Sequence, residues 1–173
     1  MSPETAISLL RPAVQQLPGQ LWYDLGAGKG TFTRALASLL GNLSEIVAFD
    51  IEASAMDHIP KEIDRVKITK REMDLSREAF VGPHADGIIM ANFLHFMRDK
   101  LPMLKAMKQV LKPTGVVVII EYEMTKSNEW VPFPINYESL ASLARTAGYQ
   151  NVAMMEVAES RYQEGGIYSA ALR

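Results

Sequence analysis

The stretch Tyr23-Asp24-Leu25-Gly26-Ala27-Gly28-Lys29-Gly30 decides the fold of this chain. It closes a short apolar run, residues 21–25, and precedes residues 31–40, whose apolar side chains recur at helical spacing. Glycines between a strand and a helix let the backbone turn tightly and bring a ligand close to the main chain. The following helix offers unpaired amide groups at its start. A purely structural turn is the alternative, because glycine also commonly ends strands.

Outward from this loop, apolar runs of strand length alternate with segments of helical spacing. Apolar and β-branched runs predict strands at residues 21–25, 45–49, 65–69, 85–91, 116–120, 151–157 and 167–172. Helical spacing, with capping and helix-ending residues, predicts helices at residues 2–18, 31–40, 54–59, 100–111 and 137–147. This alternation predicts a single doubly wound α/β domain, residues 1–173, with a mostly parallel sheet and helices on both faces. Ligands should bind at the carboxyl ends of its strands, in the loops after residues 25, 49, 91 and 120.

The composition excludes several classes of protein. Hydrophobic residues make up 48% and charged residues 22% of the chain, and its net charge is −2, whereas a general nucleic-acid-binding domain is usually basic. The basic side chains between residues 61 and 71 are therefore interpreted as a solvated face. The chain has no cysteine, which excludes disulfides and thiolate chemistry, and its histidines and carboxylates show no metal-ligand spacing. Without a membrane-spanning run or a signal-peptide pattern, the expected location is the cytoplasm.

A second acidic residue supports a nucleoside site. Asp50 ends the second predicted strand, about twenty residues after Gly30, where nucleoside-binding α/β folds place an acid that accepts hydrogen bonds from ribose hydroxyls. The alternative is that Asp50 caps the next helix. Ser54 is the better candidate for that cap, so the sequence favours a ligand role for Asp50.

The loop also discriminates between two classes of nucleoside-binding enzyme. Dinucleotide-binding enzymes use three glycines in the pattern G-x-G-x-x-G, with the pyrophosphate on the helix amides. Here the spacing is Gly26-x-Gly28-x-Gly30, and Thr31 occupies the third position of the longer pattern. Asp24, just before the glycines, suits a ligand with an ammonium group and would repel a pyrophosphate. An NAD-dependent oxidoreductase is therefore the second hypothesis.

These motifs resemble those of the class I S-adenosylmethionine-dependent methyltransferases, and the resemblance covers nearly the whole chain. Residues 24–30 look like the first motif of the family, and Asp50 matches its acid after the second strand. Residues 92–96 look like the segment after the fourth strand, and residues 104–120 like the helix, turn and strand that follow. Thr114 stands where the family usually has the first of two glycines, which leaves Gly115 for a positive φ. The resemblance implies a seven-stranded sheet with an antiparallel last strand.

The resemblance also implies how the methionine end of S-adenosylmethionine is held. Asp24 would fix the amino group, and Asn92 would lie near the methionine moiety with Phe93 beside it. The loop would lie under the methionine and ribose portions through Gly26, Ala27, Gly28 and Gly30.

At the other end, the resemblance implies that Asp50 holds the ribose and that Ile51 lies against the adenine. Asp74 would accept a hydrogen bond from the adenine amino group, with Leu75 beside the ring. For Asp74 the alternative is an acid that caps a helix beginning near Ser76.

His95 and Tyr122 are the candidates for handling a proton, since each follows a strand end beside the expected methyl group. A hydroxyl acceptor needs a base, and a histidine serves as one near neutral pH. Both side chains could instead be packing residues. Glu121 and Glu123 could orient an acceptor, and alternation along the strand places both opposite Tyr122.

The expected function is transfer of a methyl group by in-line displacement, which leaves S-adenosylhomocysteine. A small-molecule acceptor is favoured by charge and compactness, while RNA and protein acceptors, and a monomer or a homodimer, stay open. A non-catalytic subunit that binds S-adenosylmethionine is a further alternative, because the connector at residues 123–134 is short.

Overall fold

The computed structural model describes residues 1–159 and 165–173, and in these residues eight strands form one sheet. The strands are β1 (Leu21–Leu25), β2 (Glu45–Asp50), β3 (Glu62–Ile63), β4 (Val66–Glu72), β5 (Ala85–Ala91), β6 (Leu111–Tyr122), β7 (Val152–Ala158) and β8 (Ile167–Leu172). The helices are α1 (Pro3–Leu10), α2 (Thr31–Leu39), α3 (Ala53–Met56), α4 (Leu101–Gln109) and α5 (Tyr137–Thr146), with a 3-10 turn at Leu94–Phe96.

The strand order is β3-β4-β2-β1-β5-β6-β8-β7. Strands β2 to β4 lie on one side of β1 and strands β5 to β8 on the other, so the strand order reverses at β1. β1 pairs in parallel with β2 and with β5, while β8 is antiparallel to both of its neighbours. The central strands carry apolar side chains on both faces, and each face contributes to its own buried cluster. A sheet covered on both sides explains why these strands are continuous apolar runs in the sequence.

The predicted fold class is confirmed, with a correction to the number of strands. The chain has an eighth strand, β3, which forms a tight antiparallel hairpin with β4. Two residues are too few to show any periodicity, which is why the sequence did not reveal it. The turn of this hairpin, Asp64 and Arg65, has positive φ at both positions, as the favoured two-residue hairpin turns require.

Several helix boundaries also differ from the predictions, including the end of α3, which is at Met56 and not at residue 59. α1 ends at Leu10 instead of continuing to residue 18, because Pro12 has no amide hydrogen and its ring obstructs a helix. α4 ends at Gln109, and β6 begins at Leu111, earlier than predicted. Gly115 lies within β6 without a positive φ. Its small size matters instead, since an added Cβ would lie 2.7 Å from the Leu111 side chain.

Candidate functional site

A cavity of about 560 Å³ lies at the carboxyl ends of β1, β5 and β6, where the strand order reverses. The starts of α1 and α2 close two of its sides. Its lining consists of Met1, Ser2, Thr5, Asp24, Gly26, Ala27, Thr31, Phe32, Ala91, Asn92, Tyr122, Glu159 and Ile167. This is the position at which open α/β sheets bind their ligands.

Asp24 is the buried acid of this cavity. The side chain is 1% exposed, and the Thr33 hydroxyl donates a hydrogen bond of 2.5 Å to its Oδ2. Burial raises the pKa of Asp24 to about 7, the hydrogen bond from Thr33 opposes this change, and the charge of Asp50 adds to it. Near neutral pH this carboxyl group is therefore ready to ionise when a cation comes close.

The glycine loop is held to the end of β2. The amides of Gly26 and Ala27 both donate to the Phe49 carbonyl at 2.9 Å, and the amide of Gly28 donates to Asp50 Oδ2 at 2.7 Å. Gly26 has a φ of 81°, and a Cβ at this position would overlap the Phe93 ring. The tight turn and the close approach of Phe93 explain the need for glycine here.

Asn92 follows β5 with a φ of 52°, in the left-handed region that few residues other than glycine adopt. Its amide donates to the Ile120 carbonyl, which fixes its backbone at the cavity wall. Its side-chain Oδ1 is buried and has no hydrogen-bond partner among the described residues. A buried acceptor without a donor is unusual in a folded protein and calls for a bound group or water as its partner.

Asp50 and Ile51 are outside the cavity lining, on the far side of the loop. Asp50 Oδ2 accepts from Gly28, and its Oδ1 accepts from the Glu52 amide at 2.9 Å. Ile51 is 61% exposed. Ser54 lies inside α3 and donates to Glu52, so the prediction that it caps this helix is wrong. Asp50 itself binds the backbone there, although each carboxylate oxygen can still accept a second donor.

Asp74 and Leu75 are farther along the same edge and are also outside the cavity lining. Asp74 Oδ1 accepts from both the amide and the hydroxyl of Ser76, and its Oδ2 lies 3.4 Å from the Arg77 guanidinium. The hydroxyl of Ser76 is the largest cause that lowers the pKa of Asp74. Leu75 is buried in the core. Asp74 thus organises its own turn, but no helix begins near Ser76, so the capping alternative is wrong.

The two candidates for proton transfer are in different environments. Tyr122 lines the cavity, whereas His95 is 3% exposed and is not part of the lining. The centroids of the two rings are 6.0 Å apart. Glu121 lies against His95 and not in the cavity, and Glu123 accepts from the Tyr137 amide at 3.0 Å.

Comparison with known proteins agrees with this geometry. A family model described as a methyltransferase domain matches residues 23–117, more than half of the chain. The chain belongs to this methyltransferase family. A relative is the ubiquinone/menaquinone biosynthesis C-methyltransferase UbiE of Shewanella oneidensis, 31% identical over an alignment of 114 residues that covers 61% of this chain and 43% of that protein. The chain therefore spans less than half the length of this curated relative.

Solved structures of methyltransferases share the fold. A SAM-dependent methyltransferase from Aquifex aeolicus superposes with a TM-score of 0.68 at 16% identity, over 99% of this chain and 98% of that one. An S-adenosylmethionine-dependent methyltransferase from Mesorhizobium loti superposes with a TM-score of 0.74 at 15% identity, over 99% of this chain and all of that one. At these identities the likeness establishes the methyltransferase fold.

The methyltransferase cavity also includes residues that the sequence did not reveal. Ser2 and Thr5 reach it from α1, and Glu159 and Ile167 reach it from the region between β7 and β8. These segments are far apart in the chain, and no local motif marks them. Thr33 was detectable, because it is a hydroxyl on the otherwise apolar buried side of α2.

Two kinds of feature are absent from residues 1–159 and 165–173 of this methyltransferase chain. No group of three or more histidine and carboxylate side chains is arranged to hold a metal ion there. Likewise, none of its helices combines the length and the apolar character needed to cross a bilayer.

Proposed function

We propose that this chain is an S-adenosylmethionine-dependent methyltransferase that methylates a nucleophilic atom of a small molecule. The observation that carries the proposal is the pairing of Asp24 with the unpartnered Asn92 Oδ1 in one cavity. Leaving a buried acceptor without a donor costs about 1–3 kcal/mol. An ammonium group supplies both the missing donor and the positive charge that would ionise Asp24.

The remaining residues fit the rest of this cofactor. The backbone of the glycine loop is open at Gly28, where an added Cβ would meet nothing within 4 Å. Asp50 lies at the other end of the loop, with acceptor capacity left for ribose hydroxyls. When bound, the cofactor would supply a methyl group carried by its sulfonium sulfur, and transfer of that methyl group would leave a neutral thioether.

The residues of the chain then contribute position and environment. Asp24 and Asn92 hold the amino acid end, so that the acceptor can align behind the methyl carbon, and such alignment is worth several kcal/mol. The carboxylates and carbonyls of the cavity favour the positive charge that spreads during transfer. Tyr122 borders the same space, which supports a contact between its side chain and the acceptor.

His95 is proposed as the proton acceptor where the nucleophile carries a proton. Because the His95 ring is buried beside the rings of Phe96 and Tyr122, a neighbouring side chain must move before His95 can contact the acceptor. We expect His95→Ala to leave cofactor binding unchanged and to lower the turnover of hydroxyl acceptors. Full turnover in that variant would assign His95 to packing alone.

A cavity of about 560 Å³ favours a small acceptor over RNA or protein. The name of the Shewanella relative specifies C-methylation in quinone biosynthesis for that protein, so activated carbon acids are the first acceptors to test here. We further propose that residues 1–173 act as one domain, in the cytoplasm, as a monomer or a homodimer.

Titration calorimetry with S-adenosylmethionine, S-adenosylhomocysteine, adenosine and NAD tests the cofactor. We expect the first two to bind more tightly than adenosine, which lacks the ammonium, and NAD to bind weakest. Tighter binding of NAD would overturn the proposal in favour of an oxidoreductase. Formation of S-adenosylhomocysteine, measured across carbon, oxygen, nitrogen and sulfur acceptors, then separates an enzyme from a non-catalytic binding subunit.

A further inference from the structure

Four acidic or basic side chains are buried in the part of the chain that the structure describes, and three of them belong to one neighbourhood. Asp24 lines the cavity. Of the other three, Glu121 contacts the His95 ring, while the Lys100 ammonium lies over the ring of Phe133, whose amide donates to the His95 carbonyl. Burying a charge is costly unless another charge or hydrogen bonds compensate it. A group of three in so small a region therefore needs an explanation.

Glu121 binds His95 with both of its oxygens. Oε1 accepts from the His95 backbone amide at 3.1 Å, and Oε2 lies 2.6 Å from Nδ1 of the ring. The short contact requires a proton between Nδ1 and the carboxylate. In the neutral ring, Nε2 is then the nitrogen that accepts a proton.

Lys100 adds a positive charge next to this pair. Its side chain is 7% exposed, and its Nζ donates to the Met97 carbonyl at 2.7 Å. Burial lowers the pKa of Lys100, and the charges of Glu121 and Asp99 oppose this change. The ammonium also lies 5.9 Å from the centroid of the Phe133 ring. The Met97 carbonyl and the Phe133 ring thus hold the buried ammonium, and the charge of Glu121 acts on it from a greater distance.

We propose that Lys100 is a positioning residue whose charge balances Glu121, so that His95 stays neutral with its proton on Nδ1. Glu121 and His95 alone would form a neutral ion pair if the ring took a second proton. With Lys100 beside them, that proton would leave the cluster with a net positive charge in a buried place, which disfavours it. The remaining titratable or charged groups near the cluster are Arg98, Asp99, Tyr122, Glu123 and Tyr168.

This inference rests on the proposed function only in the use of His95 as a proton acceptor. The charge state of the ring is a property of the cofactor-free protein. Nitrogen-15 NMR of the ring measures it directly, and the chain has only three histidines, which simplifies assignment.

The decisive variant is Lys100→Met, which keeps the length of the side chain and removes its charge. We expect the midpoint of the His95 titration to move to higher pH by about half a unit to one unit. Glu121→Gln removes the opposite charge and should move the midpoint to lower pH. Lys105→Met, on the exposed side of the same helix, is the matched control and should leave it unchanged.

A cooperative denaturant unfolding transition will show that each variant is folded. An unmoved His95 midpoint in folded Lys100→Met, or a shift to lower pH, would overturn the proposal, and so would a proton on Nε2 in the neutral ring. Lys100→Arg should restore the original midpoint. Where turnover is measurable, the acidic limb of the kcat profile should move with the midpoint while the KM for S-adenosylmethionine stays constant. Absence of methyl transfer would count against the proposed function and would leave the NMR result standing.

Discussion

The two ends of the candidate cofactor site differ in whether their polar side chains already have hydrogen-bond partners within the protein. At the methionine end, Asp24 is buried in a cavity with the unpartnered Oδ1 of Asn92. At the adenine end, the carboxylates of Asp50 and Asp74 already accept hydrogen bonds from nearby backbone amides, and Ile51 is exposed. One end is thus incomplete without a ligand, whereas the other is complete as it stands.

This contrast indicates where binding energy should come from. A ligand that fills the methionine end gives the Asn92 Oδ1 acceptor a donor and balances the charge of the buried Asp24 carboxylate. At the adenine end it only replaces or shares hydrogen bonds that the chain makes by itself. Selectivity for a cationic amino acid group should therefore exceed selectivity for the base.

The largest expected effect is that of Asp24→Asn. The substitution keeps an acceptor for the Thr33 hydroxyl and removes the charge that faces the ammonium, so affinity for S-adenosylhomocysteine should fall by about 3 kcal/mol, more than a hundredfold. Calorimetry measures this change. The same variant should unfold at higher denaturant concentration at pH 8, because the wild-type fold buries a carboxylate there. A Kd within threefold of wild type would remove Asp24 from the ammonium site.

The next effect is a dependence of affinity on pH. The folded pKa of Asp24 is raised to about 7 from 3.8, so the free protein holds a proton there at pH 5 that the bound ammonium must displace. Affinity should rise by up to about tenfold per unit as pH increases toward 7, and then level off until the ligand amine itself titrates near 8. In the free protein the same shift means that stability falls between about pH 4 and 7, by roughly 4 kcal/mol. Asp24→Asn should abolish both slopes.

Asp50→Ala should have an intermediate effect, weakening cofactor binding by about 1–3 kcal/mol. Part of this loss would come from the Gly28 amide, which loses its acceptor and leaves the loop less well held. Comparing S-adenosylhomocysteine with its 2′-deoxy analogue separates the two causes. If Asp50 binds the ribose, the variant should discriminate less between the two ligands than wild type does. Equal discrimination would leave Asp50 with a role in the loop alone, and Glu52→Ala provides a control at an exposed neighbour.

Much of the fold could be predicted from the sequence, because the strands that matter are buried on both faces. Residues 85–91 and 116–120 are continuous apolar runs, and such runs have few alternatives to a covered parallel sheet. The two main errors have different causes. β3 has only two residues, too few to form a pattern, whereas α1 ends early at a signal that the sequence does contain, Pro12, because the apolar spacing continues beyond it.

The site was predictable in part. Strand ends carry the functional residues of this fold, so Asp24 and Asp50 could be named from position, and Asn92 from the family resemblance. Sequence did not indicate which of these groups the chain satisfies internally. The Gly28 amide forms a hydrogen bond with Asp50, 22 residues later in the chain, and His95 forms one with Glu121, 26 residues later. Such pairings depend on strand register, which follows from the packing of the whole sheet.

The smallest effect is expected for Asp74→Ala, and it tests the comparison most directly. Asp74 holds the Ser76 amide and hydroxyl, so its removal should lower stability while changing the Kd for S-adenosylhomocysteine by about threefold or less. Calorimetry and denaturant unfolding on the same sample measure both. Asp57→Ala, an exposed carboxylate just after α3, should change neither. A loss of affinity above tenfold for Asp74→Ala would mean that the adenine draws on this carboxylate despite its bonds to Ser76. The two ends of the site would then contribute similar amounts to the free energy of binding. Ligand binding would rearrange the turn at Asp74 as well as fill the cavity at Asp24.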